Sequence, residues 1–356
     1  MGGVKTHIKY ILEYADQSIF DFEIIAPHDK DFVKFARERQ IPYHILEFER
    51  NISLAKDTLA CFRLLYILRK KKYDIVHLHS AKAGILGRLI CTIRYQKNVF
   101  TANGLSYLGA RGIKRGAFFF IETLFKNRAT KFFAVSNCEA NRAIYELGVK
   151  ANKVVVIQNA ITPFTQAREV NNREVKIIST IGRLTAQKNL VRFVEIANAV
   201  LIKFPEIEFR ILGAGYHDDQ KEQIYRYIKK YGLDGKIKII EWSYEINIGQ
   251  YLLQTDIYVS TSIFEGLPYS ILEAMSLGIP CVASFCDGHN DIITSNEDGF
   301  LCNSNEQFVN VLLHLINEPS LRDEIGKKAK DTVRKQFNMR DRSLLLTKEY
   351  MKIIKE

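Results

Sequence analysis

FEGLPYSILEAM, residues 264–275, is the stretch that decides the fold. It follows a strand-like run at 256–260 and precedes residues 278–284, which are typical of a helix end followed by another strand. The stretch itself therefore predicts a tight loop and then a short helix. Pro268 suits the first turn of that helix, because its missing N–H would have no helical partner there.

Two carboxylates flank the predicted start of this helix. Free N–H groups at a helix start favour anions, phosphates above all. Glu265 lies in the loop and Glu273 about one turn into the helix, and carboxylates accept hydrogen bonds from sugar hydroxyls. Two glutamates at this spacing are also common on solvated surfaces, so the hypothesis depends on partners elsewhere in the chain.

Length and composition indicate a two-domain globular protein. The chain has 356 residues, of which 47% are hydrophobic and 26% charged, and single domains usually span about 100–200 residues. No apolar run approaches the roughly 18 residues of a membrane span, and no signal peptide is recognisable. The six cysteines include no Cys-x-x-Cys pair, so we expect reduced thiols and a cytoplasmic location.

The net charge of +11 is unevenly distributed. Residues 1–165 carry 26 Lys and Arg against 14 Asp and Glu, whereas residues 166–356 carry 25 against 26. A basic half of this kind is compatible with a polyanion or with an anionic membrane surface.

Strand-like and helix-like segments alternate along the whole chain, which predicts parallel sheets with helices on both faces. The pattern is interrupted by polar residues and Pro163 near 162–172. We therefore predict a first domain over residues 1–165, rejoined by a last helix at 340–356, and a second domain over 166–339.

Further candidates for ligand binding follow two predicted strands of the second half. Open parallel sheets bind ligands at the carboxyl ends of their strands. Arg183 and Lys188 follow the strand at 176–181 and could clamp a diphosphate, although both could equally be surface cations. Gly182 allows close backbone approach, and Gly213-Ala214-Gly215 follows the next strand but lacks the third glycine of a dinucleotide fingerprint.

These motifs resemble the nucleotide-sugar domain of the retaining GT-B glycosyltransferases of family 4. The similarity extends to Gly278-Ile279-Pro280-Cys281-Val282-Ala283 and Asp298-Gly299-Phe300-Leu301. The first half is similar more loosely, through Gly2-Gly3, the run DIVHLH at 74–79 and the runs at 134–136 and 156–159.

The resemblance implies an α/β protein of the GT-B fold, with two Rossmann-like, doubly wound parallel-sheet domains that face each other across a cleft. It implies a metal-independent hexosyltransferase that retains the configuration of a sugar taken from a UDP-, GDP- or ADP-sugar, with no cofactor. The acceptor would be a glycan or a lipid-linked sugar, in the biosynthesis of bacterial capsule or lipopolysaccharide.

The resemblance also assigns roles to individual residues. Glu265, Arg183 and Lys188 would be catalytic, with the two cations neutralising the departing diphosphate. The donor would be held by a further set, in which Glu273 contacts the ribose: Gly182, Glu273, Gly266, Leu267, Trp242 and Gly213. Gly3, Asn103 and His79 are candidate contacts to the acceptor or the sugar. No residue is assigned to a metal, since His77 and His79 lack a third ligand.

Two features depart from the family pattern. Asn103 stands where the family usually has His, and Asn cannot carry a proton near neutral pH. No strand precedes Gly2-Gly3, so we expect the first sheet to lack its usual first strand, through either a truncated start or a genuine difference.

The stretch 111–131 interleaves cations with phenylalanines and suits the inner face of the cytoplasmic membrane. A core helix with solvated ends is the alternative. For the whole chain, a nucleotide-sugar epimerase of the same fold and an inactive member that binds a partner remain alternatives. A nucleic-acid-binding protein is disfavoured, because no reader motif accompanies the charge. The sequence does not specify the sugar, the base, the acceptor, the linkage or the oligomeric state.

Overall fold

The computed structural model describes residues 3–48, 53–164, 174–214, 218–243 and 246–356. The predicted domain boundary after residue 165, and Gly2 and Gly215 of the family motifs, lie outside these ranges. The chain divides into two compact units, Met1–Gln158 with Met339–Glu356, and Asn159–Asn338.

The first unit alternates helices and short strands, as its hydrophobic patterning predicts. Its helices are α1 (Gly3–Tyr14), α2 (Lys30–Glu38), α3 (Leu54–Lys70), α4 (Ala81–Ile93), α5 (Gly112–Phe125), α6 (Asn137–Asn141) and, at the end of the chain, α13 (Met339–Lys355). Its strands are β1 (Ile24–Ala26), β2 (Tyr43–Ile45), β3 (Val76–His79), β4 (Asn98–Thr101), β5 (Lys131–Ala134) and β6 (Val154–Val156).

Among the described residues, the strands of the first unit form two separate parallel ladders. β1 pairs with β2, and the other four strands pair in the order β3-β4-β5-β6. A side-chain hydrogen bond links the starts of the two ladders. The Tyr73 hydroxyl, shortly before β3, donates to the Glu23 carboxylate, just before β1, over 2.6 Å. The expectation that the first sheet lacks its usual first strand stays a prediction.

The last helix packs onto the first unit, far in sequence from its neighbours. Tyr350 is buried, hydrogen-bonds the ring of His77 and stacks on Phe133. The ammonium of Lys97 donates to the carbonyls of Ile353 and Ile354 over 2.9 and 3.0 Å. These contacts satisfy carbonyl groups at the end of the helix, which have no partner within the helix itself.

The second unit is a doubly wound sheet. Its strands are β7 (Ile177–Ile181), β8 (Glu208–Ala214), β9 (Ile237–Glu241), β10 (Ile257–Ser260), β11 (Cys281–Ser284) and β12 (Phe300–Cys302). Its helices are α7 (Leu190–Leu201), α8 (Lys221–Lys230), α9 (Ile248–Leu253), α10 (Tyr269–Ser276), α11 (Asn305–Asn317) and α12 (Pro319–Gln336).

All six strands of this sheet are parallel, in the order β12-β11-β10-β7-β8-β9. From β7 the chain first builds outward through β8 and β9 and then returns to place β10 on the other side of β7. The loops that leave β7 and β10 therefore start on opposite sides of the switch in strand order, which is where open α/β sheets bind ligands. The predicted pair of Rossmann-like domains is confirmed.

Candidate active site

The loops after β7 and β10 meet through a buried ion pair. The Lys188 ammonium lies 2.7 Å from Oε1 of Glu265, with the two side chains 18% and 9% exposed. Burial raises the pKa of Glu265, but the charge of Lys188 together with the other charge and hydrogen bonds around the carboxylate outweighs this effect, so that the pKa lies below its ordinary value. The carboxylate is therefore ionised beside a cation at the switch point of the sheet.

Backbone and side-chain bonds hold the same two loops together. The Ile263 N–H donates to the carbonyl of Gln187 over 2.8 Å. The Gln187 amide donates back to the carbonyl of Phe264 over 3.1 Å and to Oε2 of Glu265 over 3.3 Å. Thr261 donates to the Lys188 carbonyl over 3.0 Å. Hydrogen bonds of both the backbone and the side chains thus hold the loop of Lys188 against the loop of Glu265.

Gly182, directly after β7, and Gly213, near the end of β8, let the backbones of these two strands approach each other closely. Gly213 has a φ of +135°, and a Cβ atom there would lie 2.5 Å from the Gly182 carbonyl oxygen. A Cβ atom on Gly182 would crowd the Lys188 side chain at 3.0 Å. Gly213 therefore requires glycine, because its φ and the Gly182 carbonyl leave no room for a Cβ atom, whereas a Cβ atom on Gly182 would shift only the Lys188 side chain.

Glu273 lies on the helix that begins next to Glu265. It is the fifth residue of α10, and only 8% of its surface is exposed. Burial raises the pKa of this carboxyl to about 7. Burial thus makes this carboxyl hold its proton more tightly than a free glutamate does, and once ionised it can accept hydrogen bonds from hydroxyl donors.

Trp242 directly follows β9 at the same edge of the sheet. Its indole Nε1–H is buried and has no hydrogen-bond partner in the part of the chain that the structure describes. An indole with an unused donor, beside the end of β8, is suited to contact a flat heteroaromatic ligand.

The remaining second-unit candidates lie in the same two loops. Arg183 is half-buried and directly follows Gly182. Gly266 and Leu267 stand just before α10, and the Leu267 carbonyl accepts a bond of 2.8 Å from Asn159. The nine second-unit residues predicted from sequence therefore all lie at the carboxyl edge of this sheet or at the start of α10.

The three candidates in the first unit lie on three different elements. His79 ends β3, and Asn103 follows the neighbouring β4 with a φ of +56° and a long bond of 3.5 Å to the Thr101 carbonyl. Gly3 begins α1 and is exposed. The helix approaches the sheet one turn later, where the ring centroids of His7 and His79 are 5.3 Å apart.

Sequence reasoning missed a loop that supports Glu265. Residues 287–290 form turns, in which His289 is fully buried and Gly288 packs against the Glu265 backbone. The Glu265 N–H donates to the Asp287 carbonyl over 3.0 Å. The available signal was a histidine shortly after a buried strand, which is too common to identify a site.

Two family models together match residues 1–332. "Glycosyltransferase Family 4" matches residues 1–163, and "Glycosyl transferases group 1" matches residues 162–332. Among curated proteins, the chain is 28% identical over 338 residues to the UDP-Gal:alpha-D-GlcNAc-diphosphoundecaprenol alpha-1,3-galactosyltransferase of Escherichia coli, covering 90% of this chain and 86% of that protein. It is 21% identical over 345 residues to the capsular polysaccharide biosynthesis glycosyltransferase CapM of Staphylococcus aureus, covering 92% and 88%.

Solved structures share the fold. Anabaena Alr3699/HepE in complex with UDP-glucose superposes with a TM-score of 0.85 at 17% identity, covering 99% of this chain and 96% of that chain. The apo form of the lipopolysaccharide outer core galactosyltransferase WaaB gives a TM-score of 0.73 at 19% identity, with coverage of 99% and 96%.

Proposed function

The chain belongs to the family 4 glycosyltransferases of the GT-B fold, and from this premise we propose that it is a retaining hexosyltransferase that uses a UDP-sugar. The acceptor is a lipid-linked glycan in the assembly of a bacterial surface polysaccharide. The observation that carries the proposal is the buried Lys188–Glu265 pair at the switch point of the second sheet.

The pair suits a diphosphate leaving group and its sugar. Negative charge grows on the diphosphate as the glycosidic bond to the donor breaks, and fixed cations stabilise that charge. Lys188 supplies one such cation, held in place by Glu265, and Arg183 on the same loop supplies the second. Glu265 in turn accepts a hydrogen bond from a hydroxyl of the transferred sugar.

Glu273 and Trp242 hold the nucleoside. The Glu273 carboxylate accepts the ribose hydroxyls, and Trp242 contacts the base. We select the uridine nucleotide because the E. coli relative acts on UDP-Gal and Alr3699/HepE was solved with UDP-glucose. We also propose that no divalent metal takes part, since the two cations supply the charge that a metal would otherwise provide.

The protein works at the inner face of the cytoplasmic membrane and contacts it through the stretch 111–131. None of the helices in the described ranges is long and apolar enough to cross a bilayer. α5 nevertheless exposes a stripe of Ile113, Phe120 and Leu124, which are 93%, 67% and 60% exposed. Arg111, Lys114 and Arg115, also exposed, lie at the amino-terminal end of the same helix. Apolar wedges among cations are typical of helices that lie on anionic lipid.

A thermal-shift screen against UDP-, GDP- and ADP-sugars tests the donor. A bound sugar nucleotide stabilises the fold by mass action, by about 2.7 kcal/mol at a hundredfold excess over its Kd. We expect UDP-sugars to raise the Tm, and Glu273→Ala and Lys188→Ala to lose both this shift and sugar transfer. Activity that persists in EDTA supports the metal-independent reaction. A panel in which no nucleotide sugar binds contradicts the proposal.

A further inference from the structure

The ring of His289 joins the ends of the two strands next to the active-site loops. Its Nδ1 lies 2.8 Å from the carbonyl oxygen of Ser284, the last residue of β11. Its Nε2 lies 3.1 Å from the hydroxyl of Ser260, the last residue of β10. The side chain is fully buried. One imidazole therefore bridges two parallel strands at the edge where the ligand binds.

The partners of His289 fix its tautomer. A carbonyl oxygen can only accept, so Nδ1 carries the proton and donates to Ser284. Burial lowers the pKa of the ring, which keeps it neutral and leaves Nε2 as an acceptor for the Ser260 hydroxyl. The Cys286 sulfur, 3.3 Å from Nδ1, lies on the same side of the ring.

The loop that His289 closes is the loop that holds Glu265. Between Ser284 and His289, the Asp287 carbonyl accepts the Glu265 N–H over 3.0 Å. Gly288, with a φ of +80°, leaves no room between the two loops: a Cβ atom there would lie 2.8 Å from the Gly266 carbonyl oxygen and 2.9 Å from the Glu265 Cβ. A shift of this loop must therefore displace the Glu265 backbone.

We propose that His289 is a positioning residue, which sets the place of the Glu265 carboxylate by tying the 284–289 loop to the ends of β10 and β11. Its effect on sugar transfer rests on the proposed function, whereas its effect on Glu265 does not. A displacement of a reacting group by about 1 Å can cost around a hundredfold in rate, so the support of Glu265 matters as much as its identity.

The test combines amide hydrogen exchange with kinetics. His289→Phe keeps an aromatic ring and removes both hydrogen bonds. We expect the Glu265 N–H to exchange about tenfold faster or more, because its acceptor, the Asp287 carbonyl, is no longer held in place. We expect kcat to fall roughly 10- to 100-fold and the donor KM to change less than about threefold, since the diphosphate is held by other groups.

Three further variants separate positioning from general damage. His289→Asn keeps a donor near the Nδ1 position and should restore most of the protection of the Glu265 amide. Adding His289→Phe to Glu265→Gln should cost little further activity, because residues that act through one another are not additive. Thr332→Val removes a 2.7 Å hydrogen bond to Asp298, which lies just before β12 at the amino ends of the strands. This variant should leave both the exchange of the Glu265 amide and the kinetics unchanged.

Each outcome decides one of the two hypotheses. Unchanged exchange of the Glu265 amide in a folded His289→Phe protein overturns the positioning role. If that variant does not fold, Ser260→Ala decides instead, and wild-type exchange in it also overturns the role. A wild-type enzyme that turns over no nucleotide sugar refutes the proposed function, while the exchange data still decide what His289 does.

Discussion

Lys188 and Glu265 depend on each other at the scale of single residues. The carboxylate is 9% exposed and its nearest described cation is the lysine, 2.7 Å away. Removing one member of a buried pair leaves an uncompensated charge, which costs more than the pair contributes as a whole. The same two residues are assigned to the chemistry, so stability and activity should respond differently when both are changed.

We predict that Lys188→Met lowers the free energy of unfolding by about 2–3 kcal/mol, and that adding Glu265→Gln restores most of it. Neither variant should transfer sugar. Urea denaturation and donor turnover measure the two effects. If Lys188→Met is as stable as the wild type, Glu265 does not need its cation in the folded protein.

Glu273 should make the stability of the free protein depend on pH. Its pKa is about 7 in the fold and 4.5 as a free side chain, so the folded state holds an extra proton between these values. The free energy of unfolding therefore falls as pH rises from about 4.5 to about 7 and then levels off. Glu273→Gln removes this term, and at pH 8 it should be more stable than the wild type by up to about 3 kcal/mol.

Urea titrations from pH 4 to 8 check this prediction for Glu273. Ser276→Ala, which removes a bond to the Glu273 backbone rather than to its carboxyl, is the matched control and should keep the wild-type slope. If Glu273→Gln, Ser276→Ala and the wild type all have the same pH dependence, folding does not change the pKa of the Glu273 carboxyl.

At the scale of elements, α5 presents apolar side chains and cations to solvent together. We predict that Lys114→Glu with Arg115→Glu lowers binding to vesicles containing phosphatidylglycerol at least tenfold, since each cation near an anionic surface contributes about 1 kcal/mol. Cosedimentation measures the effect. Lys327→Glu with Lys330→Glu, exposed on α12 in the other unit, should bind as the wild type does.

An equal loss of vesicle binding in the α12 variant would mean that net charge, rather than α5, attracts the protein to lipid. α3 also exposes apolar side chains at helical spacing, namely Leu59, Phe62 and Tyr66. α4 packs between the two helices.

The sequence predicted most elements because their signals are local. The apolar run before Phe264 and the glycine after the next helix place β10 and α10 correctly. The pairing of Lys188 with Glu265 was not predicted, since it depends on which strands are neighbours. The role of His289 was not predicted for the same reason. It depends on the register of β10 against β11, where Ser260 pairs with Ala283. The hydrophobic periodicity of a sequence does not specify the register between strands.

At the scale of the whole molecule, the last helix completes a unit that begins at the other end of the chain. Tyr350 packs against Phe20, His77 and Phe133. We predict that Tyr350→Ala destabilises the first unit by about 3–5 kcal/mol, the usual cost of removing a buried aromatic ring. Scanning calorimetry should then show a transition at lower temperature that a nucleotide does not shift.

Tyr225→Ala is the control for that experiment, because Tyr225 is 48% exposed on α8. Its transitions should match those of the wild type. A uniform shift of the whole calorimetric profile by Tyr350→Ala would mean that the two units unfold as one cooperative system.

The path of the chain through its two units also bears on synthesis at the ribosome. Residues 159–338 are continuous, so the second unit can fold as soon as it has left the exit tunnel. The first unit starts earlier but lacks α13 until residues 339–355 have been translated. The apolar surface around Phe133 therefore stays without α13 while about 200 further codons are translated. We expect chaperones to bind the first half of the nascent chain rather than the second for this reason.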